Sequence, residues 1–205
     1  MKSETSLEST TRSKAKAKRR AQLLSAAAKL FAERGYSGTS IEDLGAAAGV
    51  SGPALYKHFG SKQQVLAAIL LDASDNLLAG GTQVVSINSG RAALEELVAF
   101  HTEFALENPD VIRVQDRDLE QLAETDRHTV RSLQRRYVEI WVDVLSTLDP
   151  HVDREILRAR AHAVFGLLNS TPYSGLKIGA DIFRHELREM AIRSLMLIDS
   201  RRSQS

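Results

Sequence analysis

The sequence predicts an all-α fold, a small N-terminal three-helix unit followed by a larger helical bundle, about nine helices in total. Three observations carry this. Apolar residues recur at steps of three and four along most of the 205 residues, and no alternating strand pattern persists. Each of the four prolines stands where a helix begins or has just ended.

The first helix spans about 16–34, with Leu23, Leu24, Ala27, Leu30 and Phe31 on one stripe and Gly35 as its stop. Ser40 caps a short second helix, with Asp43 three residues on in capping-box spacing, and this helix ends at Gly49. Ser51 caps a third helix, 53–58, closed by Gly60. Ser61 caps a fourth, which runs through Val65, Leu66, Ile69 and Leu70 to about Leu78. Residues 80–90 read as a loop, because Gly80, Gly81 and Gly90 bracket a short apolar run. Five more helices follow at about 91–107, 109–122, 126–148, 153–170 and 180–199. The clearest is 126–148, where Val130, Leu133, Tyr137, Ile140, Trp141, Val144, Leu145 and Leu148 form a wide apolar face.

Composition narrows the function classes. The absence of cysteine excludes disulfides, thiolate metal sites and cysteine nucleophiles. The six histidines never take metal-ligand spacing, so no metal and no cofactor is expected. Phosphate-binding glycine loops, a nucleophile elbow and a paired-carboxylate cleft are missing, which argues against an enzyme. No apolar run approaches the roughly 18 residues that span a bilayer, and no apolar stretch follows the basic N-terminus as in a secretory signal. A cytoplasmic protein without a membrane partner is the expectation. The net charge of +1 hides an asymmetry: residues 1–62 carry 11 Lys/Arg against 5 Asp/Glu, the remainder 16 against 21. A basic head on an acidic body suits a polyanionic partner.

Two short helices meeting across Gly49-Val50-Ser51, braced by the first helix, have the form of a helix-turn-helix, whose second helix fits the DNA major groove. Ile41, Leu44, Ala48, Val50 and Leu55 have the spacing to bury the inner faces, and Ala46 and Ala47 are small enough for close helix approach. Gly52, Ala54, Lys57 and His58 are left facing outward.

The runs Leu30-Phe31-Ala32-Glu33-Arg34-Gly35-Tyr36, Thr39-Ser40-Ile41-Glu42-Asp43-Leu44 and Leu55-Tyr56-Lys57-His58-Phe59-Gly60-Ser61-Lys62 resemble the DNA-binding domain of the TetR family of bacterial transcriptional regulators. The resemblance covers about Arg20 to Leu66. It implies that Gly52, Pro53, Ala54 and Lys57 lie against base edges, with Lys57 the best reader of guanine. It implies phosphate contacts from Tyr56, His58 and Lys62, and we add Arg19, Arg20, Ser40 and Ser51. The domain boundaries expected are a disordered basic arm over 1–15, the helix-turn-helix domain over 16–62, a sensing and dimerising domain over 63–200, and a disordered tail over 201–205.

For the larger domain the resemblance implies a bundle whose last two helices pair with those of a second subunit. Ile156, Val164, Leu168, Phe183, Leu187 and Met190 are the expected homodimer residues, and two-fold symmetry would match a palindromic operator. A small-molecule pocket is expected among the middle helices, lined by Phe100, Phe104, Tyr137, Trp141 and Phe165, with His101, Arg113, Arg117, Asn169 and Tyr173 as polar fixtures. The apolar excess with one or two arginines suggests an elongated effector such as a fatty acyl chain or acyl thioester. The chain then reads as a ligand-released repressor on double-stranded DNA. The rival is an architectural DNA-binding protein that senses nothing, against which the length of the body argues.

Overall fold

The computed structural model describes the backbone of residues 3–174 and 178–196, and side chains from residue 17 onward except that of Ala54. The expected tail over 201–205, the end of the last helix beyond 196 and the side chains of the basic run Arg12, Lys14 and Lys16 lie outside the described residues. Nine α-helices are described: α1 (Ser3–Arg34), α2 (Ile41–Ala47), α3 (Gly52–Phe59), α4 (Lys62–Ile87), α5 (Gly90–Glu107), α6 (Pro109–Asp118), α7 (Glu124–Leu148), α8 (Arg154–Leu168) and α9 (Ala180–Leu195). Short 3-10 turns occupy Leu119–Gln121 and Thr171–Tyr173, and the described residues contain no strand. The chain forms two compact units. One is Met1–Asp72 with Arg113–Arg127, and the other is Ala73–Ile112 with His128–Ser205. The division differs from the boundary expected at Lys62. A motif ends there, but α4 continues and buries Val65, Leu66, Ile69 and Leu70.

The first unit is built on the stripe of α1, where Leu23, Leu24, Ala27, Leu30 and Phe31 are all buried. The helix begins at Ser3, so the arm expected to be disordered continues α1. Those residues have no apolar stripe, but a helix already nucleated extends through polar residues at little cost. The expected capping box on α2 is present. Asp43 N–H donates to Ser40 Oγ at 3.0 Å, and Ser40 N–H donates to Asp43 Oδ2 at 2.9 Å. Such a cap contributes about 1 kcal/mol. Gly49 makes the turn with φ of 65°, a conformation that other residues adopt only under strain.

Close approach of α2 to the turn falls on Gly45. A Cβ there would stand 2.9 Å from the Val50 carbonyl oxygen and 3.0 Å from the Gly52 nitrogen. Ala46 and Ala47, expected to allow that approach, are exposed. The inner face follows Ile41 and Leu44, and Gly45 is four residues from Ile41.

The stretch Arg113–Arg127 belongs to this unit although it follows α5 in the chain. Arg117 donates to the Ala32 carbonyl at 3.3 Å and to that of Phe31, and it pairs with the nearly buried Asp118 at 2.9 Å. These carbonyls lie in the last turn of α1, where intrahelical donors run out and the helix dipole favours a cation. Gln63 Nε2 adds a bond to the Gln121 carbonyl at 2.8 Å.

In the second unit α4 continues through the expected loop to Ile87. Its diglycine is a contact surface. A Cβ on Gly80 would fall 2.1 Å from the Phe100 ring, and one on Gly81 would fall 2.6 Å from the Tyr137 ring. Glycine marks close approach as well as turns, and here two aromatic rings lie directly on helix backbone. By length and composition α4 is the one helix among the described residues that could cross a membrane, but half of its most apolar window is buried in this fold.

Helix α9 packs on both α5 and α8. Leu94, Leu97 and Val98 of α5, Leu157, Val164 and Leu168 of α8, and Leu187, Ala191 and Leu195 of α9 are buried. Glu103 of α5 accepts from Arg184 at 2.8 Å and from Arg188 at 2.6 Å, fixing α9 along α5. Thr171 Oγ1 ties the second 3-10 turn to the Ala105 carbonyl at 2.8 Å.

Candidate nucleic-acid interface and ligand core

Leu55 sets the orientation of α3. It is fully buried and lies one helical turn from Ser51, whose carbonyl accepts its N–H at 3.0 Å. With that face inward, Pro53, Tyr56, Lys57 and His58 are all exposed, Tyr56 at 49%. Gly52 is half-buried, with the side chain of Glu42 3.8 Å from where its Cβ would be, so the start of α3 has room for a close neighbour. The backbone of Ala54 lies within α3, and its side chain is outside the described residues. Pro53, Tyr56, Lys57 and His58, four of the six expected contact residues on α3, are thus exposed together on one helix.

Beside this helix a shallow groove of about 320 Å³ runs between α1 and the turn, lined by Lys18, Arg19, Gln22, Leu23, Ala48 and Val50. Lys18 and Arg19 are exposed at its rim. Ala48 and Val50, expected to be inner-face residues, are half-buried and form its floor. Arg19, an expected phosphate contact, and Lys18, from the same basic run, thus have exposed side chains on one groove.

Three other expected phosphate contacts have their side chains committed within the unit. Arg20 pairs with Asp72 and lies 6.0 Å from the Phe59 ring centroid. The Ser40 hydroxyl donates to Asp43 Oδ2 at 2.6 Å as part of the cap. Lys62 donates to the carbonyls of Tyr36 at 2.9 Å and Thr39 at 2.8 Å, with its ammonium 4.3 Å from the Tyr36 ring centroid. That commits its donors, and Lys62 fastens the start of α4 to the α1–α2 connection. Lys62→Met should therefore cost the head about 1–2 kcal/mol, the sum of two part-buried hydrogen bonds. Urea unfolding should show that loss, while the salt slope of DNA binding stays unchanged.

In the second unit, four expected pocket residues meet in one aromatic cluster. The His101 ring stacks on Phe165 at 4.9 Å and on Tyr137 at 5.7 Å, and Trp141 stands edge-on to Phe165 at 5.0 Å. Phe104 lies at its border, 6.1 Å from His101. His101 Nε2 is 3.2 Å from Asn169 Oδ1, which can only accept, so Nε2 carries the proton. Nδ1 is then the acceptor for the Tyr137 hydroxyl at 3.2 Å. Burial holds His101 at a pKa of about 4, against the opposing bond from Asn169, so the ring is neutral at pH 7. Burial also pushes the Tyr137 phenol up, opposed by the neighbouring Trp141 N–H.

The remaining pocket expectations fall elsewhere. Tyr173 is 61% exposed on the 3-10 turn. Arg113 and Arg117 belong to the first unit, and Arg117 holds the end of α1. In sequence Arg113 and Arg117 are near the cluster helices, but residues 113–127 belong to the first unit, whereas Tyr173 is in the cluster's own unit and is exposed there. Among the described residues no group of His, Asp or Glu could hold a metal ion.

Residues 23–69 match the family described as bacterial regulatory proteins, tetR family, and residues 88–173 match the tetracyclin repressor-like C-terminal domain. The HTH-type transcriptional repressor Rv3405c of Mycobacterium tuberculosis is 32% identical over 149 residues, 70% of this chain and 67% of that protein. This chain belongs to the TetR family. The HTH-type transcriptional repressor KstR2 of Rhodococcus jostii is 34% identical over 132 residues, covering 63% of this chain and 65% of that protein, just under two thirds of its length. The crystal structure of the TetR-family regulator PfmR from Thermus thermophilus superposes with a TM-score of 0.74 at 28% identity, over 86% of this chain and 98% of that one.

The TetR head match runs from Leu23 in α1 to Ile69 in α4, so it contains the whole of α2, the turn and α3. The second match stops at Tyr173 and leaves α9 outside. On α8 and α9 three expected dimer residues, Val164, Leu168 and Leu187, are buried within the chain itself. Their stripes serve the α8–α9 packing. Ile156 and Met190 are exposed at 53% and 41%, and Phe183 is half-buried. Ile182, at 59% exposure, joins them. Ala159, Ala163 and Gly166 extend the exposed face of α8 at steps of four and three, and nothing lies within 4 Å of a Cβ placed on Gly166.

Proposed function

We propose that this TetR-family chain is a sequence-specific DNA-binding transcriptional regulator that acts as a homodimeric repressor in the cytoplasm and is released from a palindromic operator by a small apolar molecule. One observation carries the DNA-binding part. The exposed side of α3, with Pro53, Tyr56, Lys57 and His58, is held in register by the buried Leu55 and flanked by Lys18 and Arg19. Lys57 reads a base edge, and Pro53 gives apolar contact to thymine methyls. Tyr56, His58, Ser51, Lys18 and Arg19 contact phosphate.

A second copy covers the exposed face of α8 and α9, where Ile156, Ile182 and Met190 surround small residues that permit close helix approach. Two-fold symmetry then sets two α3 helices about one turn of DNA apart. Repression is supported by the printed names of KstR2 and Rv3405c, both repressors. The effector enters the second unit, where the aromatic cluster offers an apolar environment to an acyl chain or acyl thioester. It drives release only by binding the DNA-free state more tightly. Arg117 supports a route for that coupling, because α6 begins in the second unit and its Arg117 holds the end of α1.

Selection from random duplexes tests the reading. An enriched sequence with two-fold symmetry and half-sites about ten base pairs apart is expected. Uniform retention of all duplexes would support an architectural role instead.

A further inference from the structure

We infer that the effector is an aliphatic molecule with a carboxylate head, held with that carboxylate on the Arg188 guanidinium in a groove between α4 and α5; the inference rests on the sensing role proposed above. The groove spans about 440 Å³ and is lined by Gly80, Val84, Ile87, Phe100 and Glu96, with Arg188 reaching it from α9. That volume is within the range of small-molecule sites. Arg188 Nε is buried and has no hydrogen-bond partner among the described residues. Its Nη2 donates to Glu103 at 2.6 Å, so the guanidinium is held in place while one N–H is left without an acceptor. An unpaired buried donor costs more on a charged group than on a neutral one, and an oxygen arriving in the groove removes that cost. The side chain as a whole is 37% exposed, so a small turn about its bond to Glu103 presents Nε to the groove.

Charge selects for an anion. Glu103 Oε1 accepts from Arg184 at 2.8 Å as well as from Arg188. Two guanidiniums therefore share one carboxylate, which leaves one positive charge uncompensated at this end of the groove. The other carboxylates nearby are screened by water: Asp181, which pairs with Arg184, has a side chain 97% exposed, and Glu96 is exposed on α5. A charge-assisted hydrogen bond from arginine to a carboxylate is about twice as strong as one between neutral groups, so an acid gains more here than the matching ketone.

The apolar part of the groove lies on α4 and α5. Val84 and Phe100 are half-buried and Ile87 is 76% exposed, so an aliphatic chain over them removes apolar surface from water. Phe100 packs on Gly80 and Tyr137 on Gly81, so one pair of glycines joins the groove to the aromatic cluster. A chain anchored at Arg188 thus ties α9 to α4 and α5 beside the cluster.

The full-length protein is titrated by calorimetry at pH 7.5 with octanoate, octan-2-one and octylammonium, alongside Arg188→Met and Glu103→Gln, and each probe is tested for release of the selected operator duplex. Octanoate should bind about tenfold or more tightly than the ketone or the amine, and Arg188→Met should lose about tenfold or more for octanoate and little for the ketone. Glu103→Gln should bind octanoate several-fold more tightly, because the Arg188 charge is then unshared. A purely structural Arg188–Glu103 pair would instead lose affinity in both variants. The ketone or amine binding as tightly as octanoate, or an octanoate affinity unchanged in Arg188→Met or weakened in Glu103→Gln, would overturn the inference. If the ketone alone binds and releases DNA, the sensing role stands and this ligand class falls. If octanoate binds through Arg188 without releasing DNA, the carboxylate site stands and its use in sensing falls. If no probe binds or releases DNA, both fall.

Discussion

Arg117→Ala is expected to destabilise the DNA-binding unit by about 2–3 kcal/mol. The guanidinium performs two tasks at once: it caps the Phe31 and Ala32 carbonyls at the end of α1 and neutralises Asp118, whose side chain is only 7% exposed. Removing it leaves a nearly buried carboxylate unpaired, which costs 3–5 kcal/mol where burial is complete. Arg117 itself is 45% exposed, so water recovers part of that. Lysine should not rescue, because a point charge cannot span two carbonyls and a carboxylate as the planar fork does. The double substitution Arg117→Ala/Asp118→Asn should regain more than half of the loss, because the unpaired charge is then gone. Hydrogen exchange along the last turns of α1 reads the effect locally. Unchanged protection there, with Asp118→Asn giving no recovery, would remove Arg117 from its place at the head.

Gly81→Ala is the second large effect, and its sign separates two physical arguments. On helix propensity alone, alanine inside α4 should stabilise by about 1 kcal/mol. The structure reverses this, because the added methyl would fall 2.6 Å from the ring of Tyr137, a buried residue bonded to His101. Overpacking of this kind costs about 1–3 kcal/mol. A net loss of about 1–2 kcal/mol in thermal or urea unfolding is expected, with altered Trp141 emission, since Tyr137 meets Trp141 edge-on at 6.2 Å. Gly80→Ala should be milder. Its clash is with the tip of the half-buried Phe100, which can turn toward the groove.

These two residues also mark where sequence reading stopped. The helix-turn-helix was legible because its signals are local: the Ser40–Asp43 box, the left-handed Gly49 and the Leu55 stripe are each set by neighbours within four residues. Gly80 and Gly81 misled because a glycine used for close approach is written the same way as one used for a turn, and the partner rings lie 20 and 56 residues away in sequence. Charge was equally ambiguous. Arg20 and Lys62 stand at positions suited to phosphate, yet their long side chains found Asp72 and two backbone carbonyls. On α8 and α9 the apolar stripes were visible, but only packing separates Leu168, which serves the chain's own core, from Ile156, which faces outward. The aromatic cluster was legible as a set of residues, and its hydrogen-bonded order was not.

The central claim is that the exposed face of α3 reads DNA sequence, and the most direct measurement is selection from random duplexes by the wild-type protein and Lys57→Ala side by side. The expected result is a symmetric motif whose guanine preference at one position in each half-site is relaxed in Lys57→Ala, with a loss of about 1–3 kcal/mol on the wild-type duplex. An identical motif and affinity from both proteins would contradict the assignment of α3 as the reading helix.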